Sequence, residues 1–212
     1  MTRFVLALAL FPAAAAADFS ATGKFGTTGA GLEAVYHFDE QFALRASVAT
    51  YTFAAEVTVD DIDYDVDLKL RSAALIMDIF PSGRNFYFSG GVFLNGNVFE
   101  AVPIFEDVLQ VGSADYTAAE LGDISGDAEF KPVAPYIGLG YRWRNNKPGI
   151  SLGLEAGILF QGQGDVSIEV TGPIADSAEF QADLAEEIDD IEDQMGVAKL
   201  YPVLEARIAY RF

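Results

Sequence analysis

The last thirteen residues, LYPVLEARIAYRF at positions 200–212, decide the fold class. Every second residue from Leu200 to Phe212 belongs to one mostly apolar face, and the opposite face carries Glu205, Arg207 and Arg211. A period of two residues is typical of a β-strand with one apolar side and one polar side. The same alternation recurs over 32–38, 136–143 and 150–161, so we expect an all-β protein.

Short turns alternate with longer polar connections between these segments. The pattern predicts eight strands, near 18–26, 30–38, 42–56, 66–80, 86–98, 129–143, 150–170 and 198–212. An even number of strands of about ten residues, with short turns at one end and long loops at the other, is typical of an antiparallel up-and-down transmembrane β-barrel. Closure of the sheet satisfies every backbone group, as lipid requires. A count of six or ten strands is the alternative.

The N-terminal segment 1–17 has the organisation of a signal peptide. A basic start is followed by the apolar run Phe4–Phe11 and by a small-residue stretch, and we expect cleavage after Ala17. The remaining residues, 18–212, then form one domain. No later apolar run approaches the roughly 18 residues of a membrane-spanning helix.

Composition excludes several classes of protein. The formal net charge is −19, while 51% of residues are hydrophobic and 13% are aromatic, so the chain is too apolar to be a disordered acidic protein. A strongly negative chain without a basic run repels phosphate, and we expect no nucleic-acid partner. Since there is no cysteine, disulfides and thiolate metal sites are also excluded.

Aromatic residues lie close to the predicted short turns and the C-terminus. In membrane barrels such residues form girdles where the strands cross the interface. The predicted interface aromatics are Phe38, Phe42, Phe80, Phe86, Tyr141, Trp143, Tyr210 and Phe212.

The C-terminal strand ending in Phe212 resembles the closing strand by which the barrel-assembly machinery recognises Gram-negative outer-membrane proteins. The segments 23–36 and 134–141 resemble the small barrels of the OmpA transmembrane-domain and OmpW group. The resemblance implies an outer-membrane protein of a Gram-negative bacterium, in contact with lipid and lipopolysaccharide, which we expect to be a monomer. An OmpA-like protein would be a plugged anchor. An OmpW-like protein would pass small hydrophobic or ionic solutes through a narrow channel.

Charged residues of both signs fall on the face that would line the interior. An eight-stranded barrel is just wide enough to be filled by side chains, and buried charges must be paired. We therefore expect a structural salt-bridge network, with a narrow ion path as the alternative. Its predicted members are Glu33, Arg45, Arg142, Glu155, Glu205 and Arg207.

The three long connections are strongly acidic. Segments 56–67, 100–129 and 176–193 hold 23 of the 32 carboxylates, which predicts an acidic extracellular face that could share divalent cations with lipopolysaccharide. Asp60, Asp61, Asp63 and Asp65 are weak candidates for loosely bound Ca²⁺ or Mg²⁺. They lack the glycine and the distal glutamate of a helix-loop-helix calcium site, so we predict no firm metal or cofactor.

One short helix is predicted in the last long loop, over 177–195. Apolar residues recur there at helical spacing after Asp176, a candidate N-cap: Phe180, Leu184, Ile188, Ile191 and Met195. We expect this stripe to pack over the barrel mouth. A lid for an apolar ligand and a helix that docks a partner are the alternatives.

No catalytic constellation is apparent. The single histidine, His37, lies beside a predicted short turn, and we expect it to be a strand residue rather than a catalytic base. We therefore predict a non-enzymatic protein with a structural or surface role. A soluble lipid-binding barrel, with its apolar face turned inward, is a further alternative.

Overall fold

The computed structural model describes residues 18–59, 62–82, 85–104, 107–143 and 149–212. The predicted signal peptide and Asp60 and Asp61 lie outside these residues. The described chain forms antiparallel strands and two α-helices. The strands are β1 Phe19–Gly26, β2 Gly29–His37, β3 Phe42–Val59, β4 Ile62–Ile79, β5 Phe86–Asn95, β6 Val98–Ile104, β7 Val108–Val111, β8 Ala114–Thr117, β9 Ile124–Glu129, β10 Val133–Trp143, β11 Gly149–Phe160, β12 Asp165–Val170 and β13 Leu200–Arg211. The helices are α1 Ala118–Leu121 and α2 Ala178–Gln194, and a 3₁₀ turn follows at Met195–Lys199.

Eight of these strands pair in an unbroken circuit, which we call the ring. The order is β1, β2, β3, β4, β5, β10, β11, β13 and back to β1. Within the ring, β3 and β4 pair along their whole length, from Phe42 opposite Ile79 to Val59 opposite Ile62. Every strand of the ring therefore has a neighbour on both sides, which removes the exposed edges of an open sheet.

The all-β prediction is confirmed, but the predicted count of eight strands is wrong, since the described chain contains thirteen. Three of the predicted strands are each interrupted by a break, that is, by residues that belong to no strand. The breaks are at 96–97, 130–132 and 161–164. Beyond these breaks β6, β9 and β12 pair in series against the upper part of β4. Gly162, with φ of +79°, lies in the third break. The alternation of side chains continues past each break, so it could not reveal one.

The parts of β3 and β4 that extend beyond the ring form a sheet with β6, β9 and β12. We call this sheet the cap sheet. It rises from one side of the ring. On the other side the β1–β2 connection is only Thr27 and Thr28, so β2 pairs with β3 only as far as Thr50.

The two sides of the ring differ in polarity as the sequence predicted. Along β13, Leu204 and Ile208 are 56% and 61% exposed on the outside, whereas Glu205 and Arg207 are 4% and 7% exposed on the inside. Apolar side chains therefore face outward and charges face inward. The soluble lipid-binding alternative requires the opposite arrangement.

Seven of the eight predicted interface aromatics are exposed on the outer side of the ring. They include Trp143, whose ring packs edge-on against Tyr141 with centroids 5.1 Å apart. Phe80 is the exception, because it is 2% exposed and packs against Tyr87 inside the ring. Phe80 continues the inward phase of β4 set by Ile76 and Asp78, and the prediction that it is an interface aromatic is therefore wrong.

The long acidic connections form a folded cap over the cap sheet. The predicted helix at 177–195 is present as α2, but its N-cap is Ser177, which accepts a hydrogen bond from the Phe180 backbone at 3.2 Å, and not Asp176. Helix α1 and the β7–β8 hairpin were not predicted. Together these elements bury a second apolar core of Leu109, Val111, Tyr116, Leu121, Ile124, Phe180 and Leu184. Among the described helices, none is both long enough and apolar enough to cross a membrane.

Candidate functional site

The candidate site is a network of buried polar side chains at the centre of the ring. Each of the eight strands contributes to it, because each has a buried polar residue in its inward phase. The contributing side chains are Lys24, Glu33, Arg45, Asp78, Tyr87, Ser89, Tyr136, Glu155, Glu205 and Arg207.

Arg45 is the first of two cationic centres in this network. Its guanidinium contacts Glu33 at 3.1 Å, Glu155 at 2.9 Å and, through Nε, Asp78 at 2.8 Å. It also donates to the hydroxyl of Ser89 at 3.1 Å, and that hydroxyl donates to Asp78 at 2.8 Å. One arginine on β3 thereby joins β2, β4, β5 and β11.

Arg207 is the second cationic centre. It contacts Glu155 at 2.5 Å and Glu205 at 2.7 Å, and it donates to the hydroxyl of Tyr87 at 3.0 Å. Glu155 therefore lies between both arginines and also accepts from the hydroxyl of Tyr136 at 2.5 Å.

Glu205 connects the network to the first hairpin. It accepts from Lys24 at 2.9 Å and from the hydroxyl of Thr28 at 2.7 Å. The charged side chains that form these ion pairs are 7% exposed or less. A buried charge is strongly unfavourable unless it is paired and hydrogen-bonded. The three cations and four carboxylates meet this requirement only as a set.

Glycines on β10 and β11 make room for the tyrosines of the network. A Cβ atom on Gly138 would lie 2.2 Å from the hydroxyl of Tyr136, and one on Gly140 would lie 2.2 Å from Cζ of Tyr87. Gly157 is similarly close to Tyr136, at 2.4 Å from its hydroxyl. The glycines seen in the polar face of the sequence therefore let aromatic rings lie flat against the wall.

The structure brings together five of the six predicted interior residues: Glu33, Arg45, Glu155, Glu205 and Arg207. Arg142 is half-buried below them, with its guanidinium carbon 4.6 Å from the centre of the Phe80 ring. Sequence reasoning missed Lys24 and Asp78. Both side chains point to the interior. The sequence did not show which face of β1 or β4 points inward, so it gave no reason to choose them.

Little free volume remains around the network. A cavity of about 30 Å³ lies among Ser20, Glu33, Arg45 and Arg207, which is enough for about one water molecule. Above it an apolar layer contains Phe93, Tyr136, Leu159 and Val203, each 2% exposed or less. Higher still, Asn95 donates to Gln161 across the ring at 3.3 Å.

His37 lies in the inward phase of β2, near the end of the ring that carries the exposed aromatics. Its Nε2 is 3.1 Å from the hydroxyl of Ser20 on β1, and both residues are buried. The histidine is a strand residue, as predicted, and its contact joins the two strands of the first hairpin.

The outer face of the cap sheet is acidic. Residues that pair side by side there include Asp67 opposite Glu100, Glu100 opposite Asp127 and Glu129 opposite Asp165. Asp63 and Asp65 belong to the same face, and Asp63 accepts from the hydroxyl of Thr58 at 2.6 Å. Among the described residues, no group of three or more potential ligands is arranged around a common point for a metal ion. Weak binding of Ca²⁺ or Mg²⁺ by Asp63 and Asp65 stays a prediction.

Two ionisable groups of the cap have shifted pKa values. The hydroxyl of Tyr116 donates to Asp183 at 2.5 Å, and this hydrogen bond, together with burial, raises the pKa of Tyr116 to about 12. Glu120 accepts hydrogen bonds from the hydroxyl and the backbone amide of Thr117, which lower the pKa of Glu120. Both contacts join two residues of the cap, and neither joins the cap to the ring.

Comparison with solved structures identifies the fold. The crystal structure of CarO2 from Acinetobacter baumannii matches with a TM-score of 0.63 at 18% identity, over 92% of this chain and 98% of that one. The crystal structure of CarO from the same organism matches with a TM-score of 0.61 at 19% identity, over 91% and 97%. No protein-family model and no curated sequence matches the chain.

These matches do not specifically support the predicted OmpA or OmpW group. At this level of identity they establish the architecture alone. The chain therefore has an all-β fold similar to that of the CarO proteins of Acinetobacter baumannii.

Proposed function

We propose that this protein is exported, is cleaved after Ala17 and spans the outer membrane of a Gram-negative bacterium as an eight-stranded barrel with a sealed interior. The proposal is supported by the ring of eight paired strands, by its apolar outer side and by the exposed aromatics near its short turns. Strands β10, β11 and β13 have 11 or 12 residues. A tilted membrane strand needs about 9–11 residues.

The packed network carries the proposal of a sealed interior. A conducting path needs continuous water-filled volume, but the space beside the network is about 30 Å³ and an apolar layer covers it. The buried charges pair with one another and, together with the hydroxyls of Tyr87, Ser89 and Tyr136, join all eight strands. We infer that they hold the wall together and do not move ions.

A structural or surface role follows for the protein, in which the acidic face of the cap is its contact with the outside. We propose that lipopolysaccharide phosphates approach this face through shared divalent cations, and that Phe212 presents the last strand to the barrel-assembly machinery. The protein would act as a monomer and without catalysis.

A test of this function starts from residues 18–212 refolded in detergent. A compact band that shifts on boiling in a denaturing gel would be expected for a closed barrel. The same sample is then inserted into planar bilayers and recorded at the single-channel level. We expect no conductance steps. Discrete steps from the unaltered protein would contradict sealing and favour the narrow passage for small solutes.

A further inference from the structure

A second cavity lies in the cap, away from the charge network. It has a volume of about 170 Å³ and separates the inner face of the cap sheet from the C-terminal half of α2. Phe99, Ala101, Ala128 and Ile168 belong to its floor, and Ile191 and Met195 close it from above. Nothing in the proposed sealed barrel requires this space.

The floor is apolar because of the register of the cap strands. Residues opposite one another in antiparallel strands project from the same face. Phe99 is opposite Ala128, and Ala128 is in turn opposite Val166, so three strands present apolar side chains to one side. The acidic residues of the same strands alternate with them and project from the other face. The cavity is therefore built by the strand pattern and is not an accident of one side chain.

The size of the cavity limits what can enter. An apolar cavity of about 150 Å³ stays dry and binds benzene. The cap cavity is slightly larger, at about 170 Å³, which fits one substituted aromatic ring. A long acyl chain would have to extend out of the cavity.

Charge limits the ligand further. Of the described residues that line the cavity, Glu187 is acidic and Tyr64 carries a phenol, while the side chain of Asp127 belongs to the outer face of the cap sheet, opposite Glu100. Glu187 accepts from the backbone amide of Gly112 at 2.9 Å, which holds its carboxylate at the rim. An anionic molecule would meet the negative charge of Glu187, and none of the described lining residues is a cation that could pair with it. A neutral or positively charged molecule would not be repelled in this way.

Position separates this cavity from the lipid. The outer face of the cap sheet carries Asp63, Asp65 and Asp67, and carboxylates in this number do not face hydrocarbon. A ligand therefore arrives from water, and not sideways from the membrane.

We propose that the cap cavity is a binding site for a small apolar molecule of about one aromatic ring, neutral or carrying a cationic group. α2 and the 3₁₀ turn that follows it form its lid, with Met195 of that turn in contact with the bound molecule. This inference depends on the cap alone, so it holds whether or not the barrel below conducts.

Methionine methyl groups provide the test. If cleavage occurs after Ala17, the remaining chain has two methionines, Met195 at the cavity and Met77 on the outer side of the ring. Protein labelled with ¹³C at both methyl groups is titrated with toluene, benzylammonium or benzoate in detergent. Met77 reports partition of the probe into detergent, and Met195 reports the cavity.

Gly126 offers a variant that fills the site. It lines the cavity, and a Cβ atom placed on it would meet nothing closer than the Ala101 carbonyl oxygen at 3.7 Å. Gly126→Val therefore adds volume to the cavity without a backbone clash. Gly23→Val is the matched control, because Gly23 lies on the outer side of β1 with no atom within 4 Å of the added Cβ.

We expect toluene and benzylammonium to shift the Met195 signal with saturation, while Met77 responds linearly. Benzoate should bind at least tenfold more weakly. Gly126→Val should abolish saturation, and Gly23→Val should preserve it. The proposal is overturned if Met195 follows Met77 without saturation, if Gly126→Val binds like the unaltered protein, or if detergent chains already contact the Met195 methyl group. Equal binding of benzoate would overturn the selection by charge.

Discussion

The lower and upper halves of β4 have opposite polarity although they belong to one uninterrupted strand. In the lower half, Leu75, Met77 and Ile79 face outward, and Asp78 faces the interior. In the upper half, Asp65 and Asp67 face outward, while Tyr64 faces the cap cavity. The pairing with β3 is continuous through both halves, so no bulge exchanges the inward and outward faces of the strand.

The surroundings of each half explain the reversal. In the proposed orientation, the lower half has lipid outside and a ring of other strands inside, so charges are stable only inward, where they pair. The upper half has water outside and helix α2 with the β7–β8 hairpin inside, so apolar side chains are stable inward. One strand therefore passes through two different surroundings, and its polarity changes where the surroundings change.

The largest effect is expected from removing a charge in the lower region. Arg45→Leu leaves Glu33, Asp78 and Glu155 without their shared cation. We expect a loss of about 3–5 kcal/mol in the free energy of unfolding. Urea unfolding of the refolded protein, followed by the fluorescence of its single tryptophan, Trp143, measures this loss.

Arg71→Leu is the control for Arg45→Leu, because Arg71 lies on the outer side of the same wall. Its effect should stay within about 0.5 kcal/mol. If the two variants are equally stable, the network does not hold the ring together.

A core deletion in the upper region should act on the cap alone. Phe180 is fully buried, and its ring packs edge-on against Tyr116 at 5.1 Å. Phe180→Ala should cost about 3 kcal/mol of cap stability, because the cap has its own core. Amide hydrogen exchange should accelerate in α2 and the β7–β8 hairpin and stay unchanged in β10 and β11. Phe53→Ala is the control, since Phe53 is 54% exposed. Equal acceleration in both regions would show that cap and ring unfold together.

A smaller loss is expected from filling the space beside Tyr87. In Gly140→Ala the new methyl group would lie 2.2 Å from the Tyr87 ring, which must move away from Arg207. We expect a loss of about 2 kcal/mol. Gly23→Ala, with open space around its added carbon, should be neutral within about 0.5 kcal/mol. Unchanged stability of Gly140→Ala would mean that the contact between Tyr87 and Arg207 is dispensable.

The smallest effect is a dependence of cap stability on alkaline pH. The folded cap raises the pKa of Tyr116 from 10.0 to about 12. Its hydrogen bond to Asp183 therefore stabilises the cap fully below pH 10, and this contribution is lost as the pH rises towards 12. The difference in phenolate absorbance between the unaltered protein and Tyr116→Phe measures the titration of this one tyrosine. A difference spectrum that appears at pH 10 would contradict the hydrogen bond.

Prediction from the sequence succeeded where the signal is local. The alternation at 200–212 and 150–161 assigned Glu155, Glu205 and Arg207 to one side because side chains of a strand alternate whatever the strand pairs with. The apolar spacing from Phe180 onward predicted α2 because residues three or four positions apart share one face of a helix whatever that face packs against. Phe80 was predicted to lie at the interface because it is next to a short turn, but proximity to a turn does not decide which face of the strand a side chain occupies.

The sequence by itself determined the period of each segment and the inward position of five charges of the network, Glu33, Arg45, Glu155, Glu205 and Arg207. Tertiary structure alone decided which charges meet, since Lys24 and Glu205 are 181 positions apart and become neighbours only when β13 pairs with β1. It also decided that the acidic connections fold into a cap with an apolar cavity. The physical reason is that alternation is a property of the local backbone, whereas partners and cavities depend on the register between distant strands.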